Sequence, residues 1–334
     1  MAASLLAVAL AALLSAFITW ISRPLLQRYA LARPNARSSH RIPTPQGAGI
    51  AVIAATLLVA WALAVGTGAA IPAALAAATI AIALVGFADD VMTLSALLRL
   101  ALQAGAVGIV VLTAPDDLRI MPALPLPLER GLIVLAGVWF VNLVNFMDGL
   151  DLMTVSEVVP VTAALLLLGW LGELPWPAAL LAAALCGAMI GFAPFNRPVA
   201  RVFLGDVGSL PIGLLLGWCL LTLAWHQHVA AALLLPAYYL ADTTITLFRR
   251  IARREPFWAA HRTHFYQRAT DNGFTVPRVI AEVFALNLLL ALLAITTVRF
   301  DSTSATALAL IAGAGAVGVL LRRFSARRSA SARA

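Results

Sequence analysis

The sequence predicts an all-α integral membrane protein, and three observations carry that prediction. Mean hydropathy is +0.94. Only 11% of the 334 residues are charged, where a soluble domain carries about 25%. The apolar residues fall into repeated runs of roughly 20, the length that crosses a bilayer. No soluble module separates from these runs. Residues 1–322 read as one polytopic domain and 323–334 as a basic tail.

Hydropathy places about eleven transmembrane helices, near 4–22, 47–65, 69–87, 97–113, 130–147, 155–172, 176–194, 208–225, 229–247, 279–297 and 305–321. The first run is long enough to span, and no small-residue cleavage site follows it, so it reads as a span rather than a removable signal. The fourth is the most polar, because Arg99 and Gln103 sit in it. Cys186 and Cys219 lie inside apolar runs and read as small buried side chains rather than a disulfide or metal pair.

All 23 basic residues are arginine. Chemistry that needs a lysine amine, such as a Schiff base or a phosphate-loop lysine, is therefore excluded. Arginine excess marks the cytoplasmic side of a membrane protein. With the N-terminus periplasmic and the C-terminus cytoplasmic, 20 arginines fall inside and only Arg119, Arg130 and Arg299 outside. Topology and anionic-lipid contact account for this basic excess, so no nucleic acid is implied.

On that map the acids collect at one face. Asp89 and Asp90 follow the third run, Asp148 and Asp151 the fifth, and Asp206 the seventh. Asp242 lies about two turns from the inner end of the ninth; it reads either as a residue touching the bound substrate or metal or as a partner of Arg249 or Arg250, with structural pairing favoured. Charge at membrane depth is costly and usually lines a site or pathway. Five stretches at this face combine charge or imidazole with glycine or an amide: HRIPTPQGAGI (40–50), GFADD (86–90), NLVNFMDGLD (142–151), NRPVARVFLGDVGS (196–209) and HRTHFYQR (261–268). Clustered carboxylates suit a hard divalent cation such as Mg²⁺, which takes one or two carboxylates plus substrate phosphates. The arginines and histidines beside them suit phosphate oxygens. The spacing of His261 and His264 would also serve zinc, but no third ligand of the right type accompanies them. The residues thus describe a cytoplasmic-face site for a diphosphate-bearing substrate. A transporter of a phosphorylated substrate would instead place its charges near mid-span in repeated, broken helices.

GFADD, NFMDGLD and FLGDVGS, in that order, resemble the polyprenyl-phosphate N-acetylhexosamine-1-phosphate transferases. This superfamily includes the muramoyl-pentapeptide transferases of peptidoglycan synthesis and the enzymes that initiate O-antigen. The resemblance runs from Pro43 to Arg268. It implies transfer of an N-acetylhexosamine 1-phosphate from a UDP-sugar to undecaprenyl phosphate, with release of UMP, in the bacterial inner membrane. It implies Mg²⁺ as cofactor, with Mn²⁺ as a substitute, and a homodimer. Residue by residue, Asp206 matches the metal-binding aspartate, with Asp148 beside it. Phe203 matches an aromatic that stacks on uracil, and Asn196 a nucleotide-contacting asparagine. Asp89 and Asp90 match the aspartate pair, whose first member faces the lipid phosphate. Asn145, Asp148 and Asp151 match the nucleotide-side motif. His261, Arg262 and His264 match the loop that holds the pyrophosphate. Gly205 permits close backbone approach to phosphate. His40 or Arg41, and Arg99, stand where the muramoyl-pentapeptide branch carries lysines. That branch also has consecutive histidines where this chain has HRTH. Both departures point to the O-antigen-initiating branch, with muramoyl-pentapeptide transfer as the alternative.

Overall fold

A computed structural model describes residues 1–32, 43–92, 94–255, 261–300 and 302–327. In chain order the helices are α1 (Ala2–Tyr29), α2 (Gly49–Thr67), α3 (Ala73–Met92), α4 (Ala96–Leu112), α5 (Leu126–Met147), α6 (Met153–Trp170) and α7 (Trp176–Asn196). They continue as α8 (Asp206–Trp225), α9 (Val229–Leu234), α10 (Ala237–Ala252), α11 (Phe265–Asp271), α12 (Val276–Arg299) and α13 (Thr303–Ser325). Two short antiparallel strands, β1 (Leu31–Ala32) and β2 (Thr44–Pro45), join α1 to α2. Nine of the described helices are long and apolar enough to cross a membrane; α4, at 17 residues, is a shorter apolar helix. The protein is therefore an all-α, multi-pass membrane protein.

α7 and α8 are the most enclosed helices. Around them pack α1, α2 and α6 on the α7 side and α3 and α5 on the α8 side. Small residues set these approaches. A Cβ on Gly49 would collide with the backbone of Gly208, so α2 and α8 cross almost backbone to backbone at the end where the site forms. Close approach through small residues is the usual means by which membrane helices gain packing when lipid tails are as apolar as their side chains.

Two buried polar pairs tie helices together inside the bundle. Gln103, one of the two polar residues of the fourth run, is fully buried on α4 and accepts from Asn142 Nδ2 of α5 at 2.6 Å. Glu157 on α6 accepts from Asn287 Nδ2 of α12 at 2.7 Å, away from the cavity that holds the other acids. Cys186 and Cys219 are buried and unpaired.

One expectation is corrected. The single helix expected over 229–247 is two, α9 and α10, broken at Leu235–Pro236. Proline lacks the N–H and its ring clashes with the preceding turn, so it ends the run. The break turns α10 so that Tyr238, Tyr239, Asp242, Thr243 and Thr246 face inward. At the C-terminus α13 runs to Ser325, and Arg323 Nε donates to Glu282 Oε2 at 2.8 Å on α12.

Candidate active site

The site forms where the end of α3, the loop after α5, the loop before α8 and the segment after β2 meet. They enclose a cavity of about 550 Å³. Its lining includes Gln46, Asp90, Asn145, Asp148, Asp151, Asn196, Phe203, Gly205, Asp206 and Gln267. Five stretches far apart in sequence are thus brought to one place.

The loop before α8 is the hub. Phe203 N–H donates to Pro45 O at 2.7 Å, and Gly47 and Ala48 N–H each donate to Phe203 O at 3.1 Å, joining PTPQGAG to FLGD. Gly205 has φ +77°, and a Cβ there would lie 2.7 Å from Asp90 Oδ2, so both the left-handed backbone and the space require glycine. Immediately after it, the first turn of α8 receives Asp90. Its Oδ1 accepts from Asp206 N–H and its Oδ2 from Val207 N–H, each at 3.1 Å. A carboxylate from α3 therefore caps the N-terminus of α8, where free N–H groups and the helix dipole favour negative charge. Gln46 Nε2 donates to the same Asp90 Oδ1 at 3.0 Å.

The two members of the aspartate pair face different ways. Asp89 does not line the cavity. Its Oδ2 is 2.5 Å from Arg99 Nη1, and its Oδ1 accepts from Leu94 N–H at 2.7 Å. Arg99 Nη1 also lies 3.8 Å from Asp206 Oδ2. Arg99, the charge that interrupted the fourth apolar run, is thus the cation at the rim of the site.

Asp206 Oδ1 accepts from Asn145 Nδ2 at 2.8 Å, and the same amide reaches Ser209 Oγ at 2.9 Å. This fixes Asn145 across α5 and α8. Asp148 accepts from the Thr154 hydroxyl. Burial pushes its carboxyl up to about 7, and the nearby charges of Asp90 and Asp151 add to that shift while the Thr154 bond opposes it. Asp151 Oδ2 accepts from Ala200 N–H at 3.0 Å. Asn196 accepts from Leu152 N–H at 2.7 Å and donates to Val202 O at 3.0 Å, tying the loop after α5 to the loop before α8.

The HRTHFYQR stretch forms one wall. Asp242 is fully buried on α10. It accepts from Phe265 N–H at 3.0 Å and Tyr266 N–H at 3.1 Å, and its Oδ1 is 3.2 Å from His264 Nδ1. The expected arginine partner is replaced by a histidine and the start of α11, because the turn of α10 after Pro236 points Asp242 inward. His261 and His264 stack with ring centroids 4.9 Å apart, and His264 lies 6.3 Å from the Phe146 ring of the α5 motif. Burial, then the nearby His264 and Arg250 charges, pull His261 down to about 4, so it is neutral at pH 7. Arg262 Nη2 lies 3.6 Å from Asp271 Oδ1. His261, Arg262 and His264 stand beside the cavity rather than in its lining. His40 and Arg41 lie outside the described residues.

Several contributors have no individual role predicted, although Gln46, Ser209 and Tyr266 lie within the stretches singled out above. Gln46, Thr154 and Ser209 are single polar residues in apolar or turn contexts. Tyr239 and Tyr266 are buried tyrosines whose hydroxyls donate to Met153 O at 3.1 Å and Phe146 O at 2.9 Å, fastening the loop after α5 from below.

The donor set fits Mg²⁺. Asp148 and Asp206 line one cavity and offer oxygen only, which is what this cation accepts. Asp148 is raised by burial first and then by the charges of Asp90 and Asp151, and a cation would offset that repulsion. The described residues hold no cluster of three or more His, Cys, Asp or Glu side chains, so substrate phosphates would complete the shell.

The family model described as glycosyl transferase family 4 matches residues 72–224, the segment that carries the aspartate pair, the α5 motif and Asp206. Across 94% of its length the chain is 28% identical to the decaprenyl-phosphate N-acetylglucosaminephosphotransferase of Mycobacterium leprae, of which it covers 89%. It is 29% identical to the protein of the same name from Mycolicibacterium smegmatis, over 87% of this chain and 81% of that one. It is also 30% identical to the phospho-N-acetylmuramoyl-pentapeptide-transferase of Gluconobacter oxydans, over 55% of this chain and 57% of that one. The chain is thus similar to glycosyl transferase family 4 over that segment.

Proposed function

We propose that the protein transfers an N-acetylhexosamine 1-phosphate from a UDP-sugar to a polyprenyl phosphate such as undecaprenyl phosphate, releasing UMP. The observation that carries this reading is the convergence of Asp90, Asn145, Asp148 and Asp206 on one cavity at the end of the bundle. The similar mycobacterial proteins are N-acetylglucosaminephosphotransferases by name, so UDP-GlcNAc is the first donor to test. The O-antigen-type motif HRTH favours initiation of a lipid-linked surface glycan over muramoyl-pentapeptide transfer. The arginine distribution supports an odd number of crossings, with a periplasmic N-terminus and the site at the cytoplasmic face of the inner membrane.

The chemistry follows from the charges. A lipid phosphate oxygen attacks the sugar-bearing phosphorus of the donor. A new P–O bond forms as the bond to the UMP oxygen breaks, leaving a lipid diphosphate sugar. Phosphoryl transfer is largely a matter of positioning and charge stabilisation. The attacking oxygen is already anionic at neutral pH, so no covalent enzyme intermediate is needed. Arg99, oriented by Asp89, offers the lipid phosphate a cation beside Asp206. Asp90 fixes the first turn of α8 and so places Asp206. Asn145 holds the Asp206 carboxylate. His261, His264 and Arg262 supply donors for the pyrophosphate from the α11 side. Bound Mg²⁺, held by Asp206 and Asp148, would neutralise the facing phosphates and the charge that develops on UMP. The apolar cavity between α4, α5, α8 and the α9–α10 break, about 260 Å³, gives a polyprenyl tail a place within the bundle.

The test is purified protein with polyprenyl phosphate, Mg²⁺ and a panel of UDP-sugars. Release of UMP together with a lipid-linked sugar is the expected result. Absence of UMP release for every donor refutes the reading, and product that persists in excess chelator refutes the metal assignment.

A further inference from the structure

A second cavity, of about 290 Å³, opens on the other side of α11. Its described lining is Thr246, Arg249, Arg250, Arg253, Glu255, Thr263 and Arg268. It shares no residue with the carboxylate cavity, although α11 walls both: Gln267 faces one and its neighbour Arg268 faces the other. Four guanidinium groups meet a single carboxylate here, which leaves three positive charges uncompensated within the lining. Glu255 is bonded to Arg250, Nη1 to Oε2 at 2.8 Å. Arg249, Arg253 and Arg268 form no ion pair among the described residues. Arg249 packs over the Phe265 ring, its guanidinium carbon 4.6 Å from the centroid.

Like charges gathered around a cavity repel, and water offsets that only in part. The compensation absent from the lining is an anion. Guanidinium groups match phosphate oxygens bidentately. Among the described residues the lining offers guanidinium and hydroxyl donors, and the anion these suit is a phosphate group. The cavity also stands at the last turn of a helix whose outer face is apolar. Phe248 and Ile251, flanking the arginines, are 64% and 46% exposed. A ligand with phosphate at headgroup depth and a chain in hydrocarbon satisfies both features, and basic pockets at the ends of membrane helices bind such headgroups.

We propose that this arginine-lined cavity binds the phosphodiester headgroup of an anionic membrane lipid, at a site separate from the carboxylate cavity. The lipid would brace α10 against α11, which carries the HRTH wall.

The test uses the full chain in neutral-detergent micelles, doped with phosphatidylglycerol or phosphatidylcholine, with inorganic phosphate as a separate arm. Thermal unfolding is followed as a function of lipid fraction. Phosphatidylglycerol is expected to raise the midpoint saturably, and phosphatidylcholine and inorganic phosphate are not. The double variant Arg253→Gln, Arg268→Gln should need about thirtyfold more phosphatidylglycerol for the same shift. The lysine pair at these positions should restore most of the response. Glu255→Gln, which removes the lone carboxylate, should make the response occur at lower lipid fraction, and it keeps the proposal testable if the double variant does not fold. An equal response to phosphatidylcholine, or a response unchanged in the double variant, overturns the proposal. A shift with inorganic phosphate that the same substitutions abolish overturns the lipid assignment in favour of a soluble anion.

Discussion

Asp90 and Asp206 are alike in sequence context, each an aspartate at the end of a glycine-bearing apolar run, yet they do different work. Asp90 spends both carboxylate oxygens on the first turn of α8. Asp206 Oδ2 lies 3.8 Å from Arg99 Nη1, and its carboxyl also meets that of Asp89. Their substitutions should therefore separate. Asp206→Asn should leave the thermal unfolding midpoint close to wild type and lower transfer by at least about 10²–10³-fold, the scale of losing a charge-stabilising group. Asp90→Ala should cost about 2–4 kcal/mol in unfolding experiments, since charged caps contribute about 1.5–3 kcal/mol each and two N–H groups lose their partner. If Asp90→Ala were as stable as wild type, the capping role would be wrong. His261 adds a pH dependence. Its folded pKa, about 4, lies below the ordinary 6.5, so the fold holds fewer protons here than the unfolded chain does. That contribution is present above pH 6.5 and is lost as pH falls from 6.5 toward 4. Thermal midpoints of wild type should fall over this window, and His261→Gln should flatten part of the fall. An identical slope in the variant would contradict the assignment. The aspartates were legible because FLGD and NFMDGLD put charge where hydrocarbon should be. Their division of labour was not, because Asp90 meets backbone groups 116 and 117 positions away.

At the scale of elements, the informative feature is α10. Its composition reads as the continuation of a span, and Pro236 alone signals the break. Nothing local says that the helix then turns Asp242 toward α11 rather than toward Arg249 and Arg250. That outcome is a tertiary choice. The N-terminus of α11 offers two backbone donors and His264 a third, and a buried carboxylate must be paired. Asp242→Asn removes the charge that these groups share. It should destabilise the protein by about 1–3 kcal/mol and lower transfer through the displaced HRTH wall. An unfolding midpoint equal to wild type would show that α11 is docked by other contacts. The short β1–β2 pairing was also invisible, since two-residue strands carry no periodicity. The fourth helix shows the opposite case. Arg99 and Gln103 weakened it by hydropathy, and both turn out to be inward-facing side chains with specific partners.

For the whole molecule, the sequence spoke most clearly about class and polarity. Apolar runs of bilayer length and an arginine bias of 20 to 3 follow from solvation alone and need no tertiary knowledge. The proposed orientation is open to direct measurement. Cys186 and Cys219 are buried, so added cysteines report cleanly in intact cells. Ala3→Cys should react with a membrane-impermeant maleimide from outside, and Ala326→Cys should react only after lysis; the reverse pattern would invert the topology and move the acidic cavity to the wrong side for a cytosolic donor. The convergence of the motifs is a different kind of statement. It depends on helices approaching at Gly49, Gly205 and Gly208 and on carboxylates reaching across to backbone donors, which no single stretch reveals. The most direct test is an experimental structure of the protein with UDP-GlcNAc and Mg²⁺. The diphosphate and metal should lie in the cavity lined by Asp148 and Asp206, with the nucleotide near Phe203. Nucleotide bound elsewhere, or Asp148 and Asp206 both left free of metal and phosphate, would contradict the account.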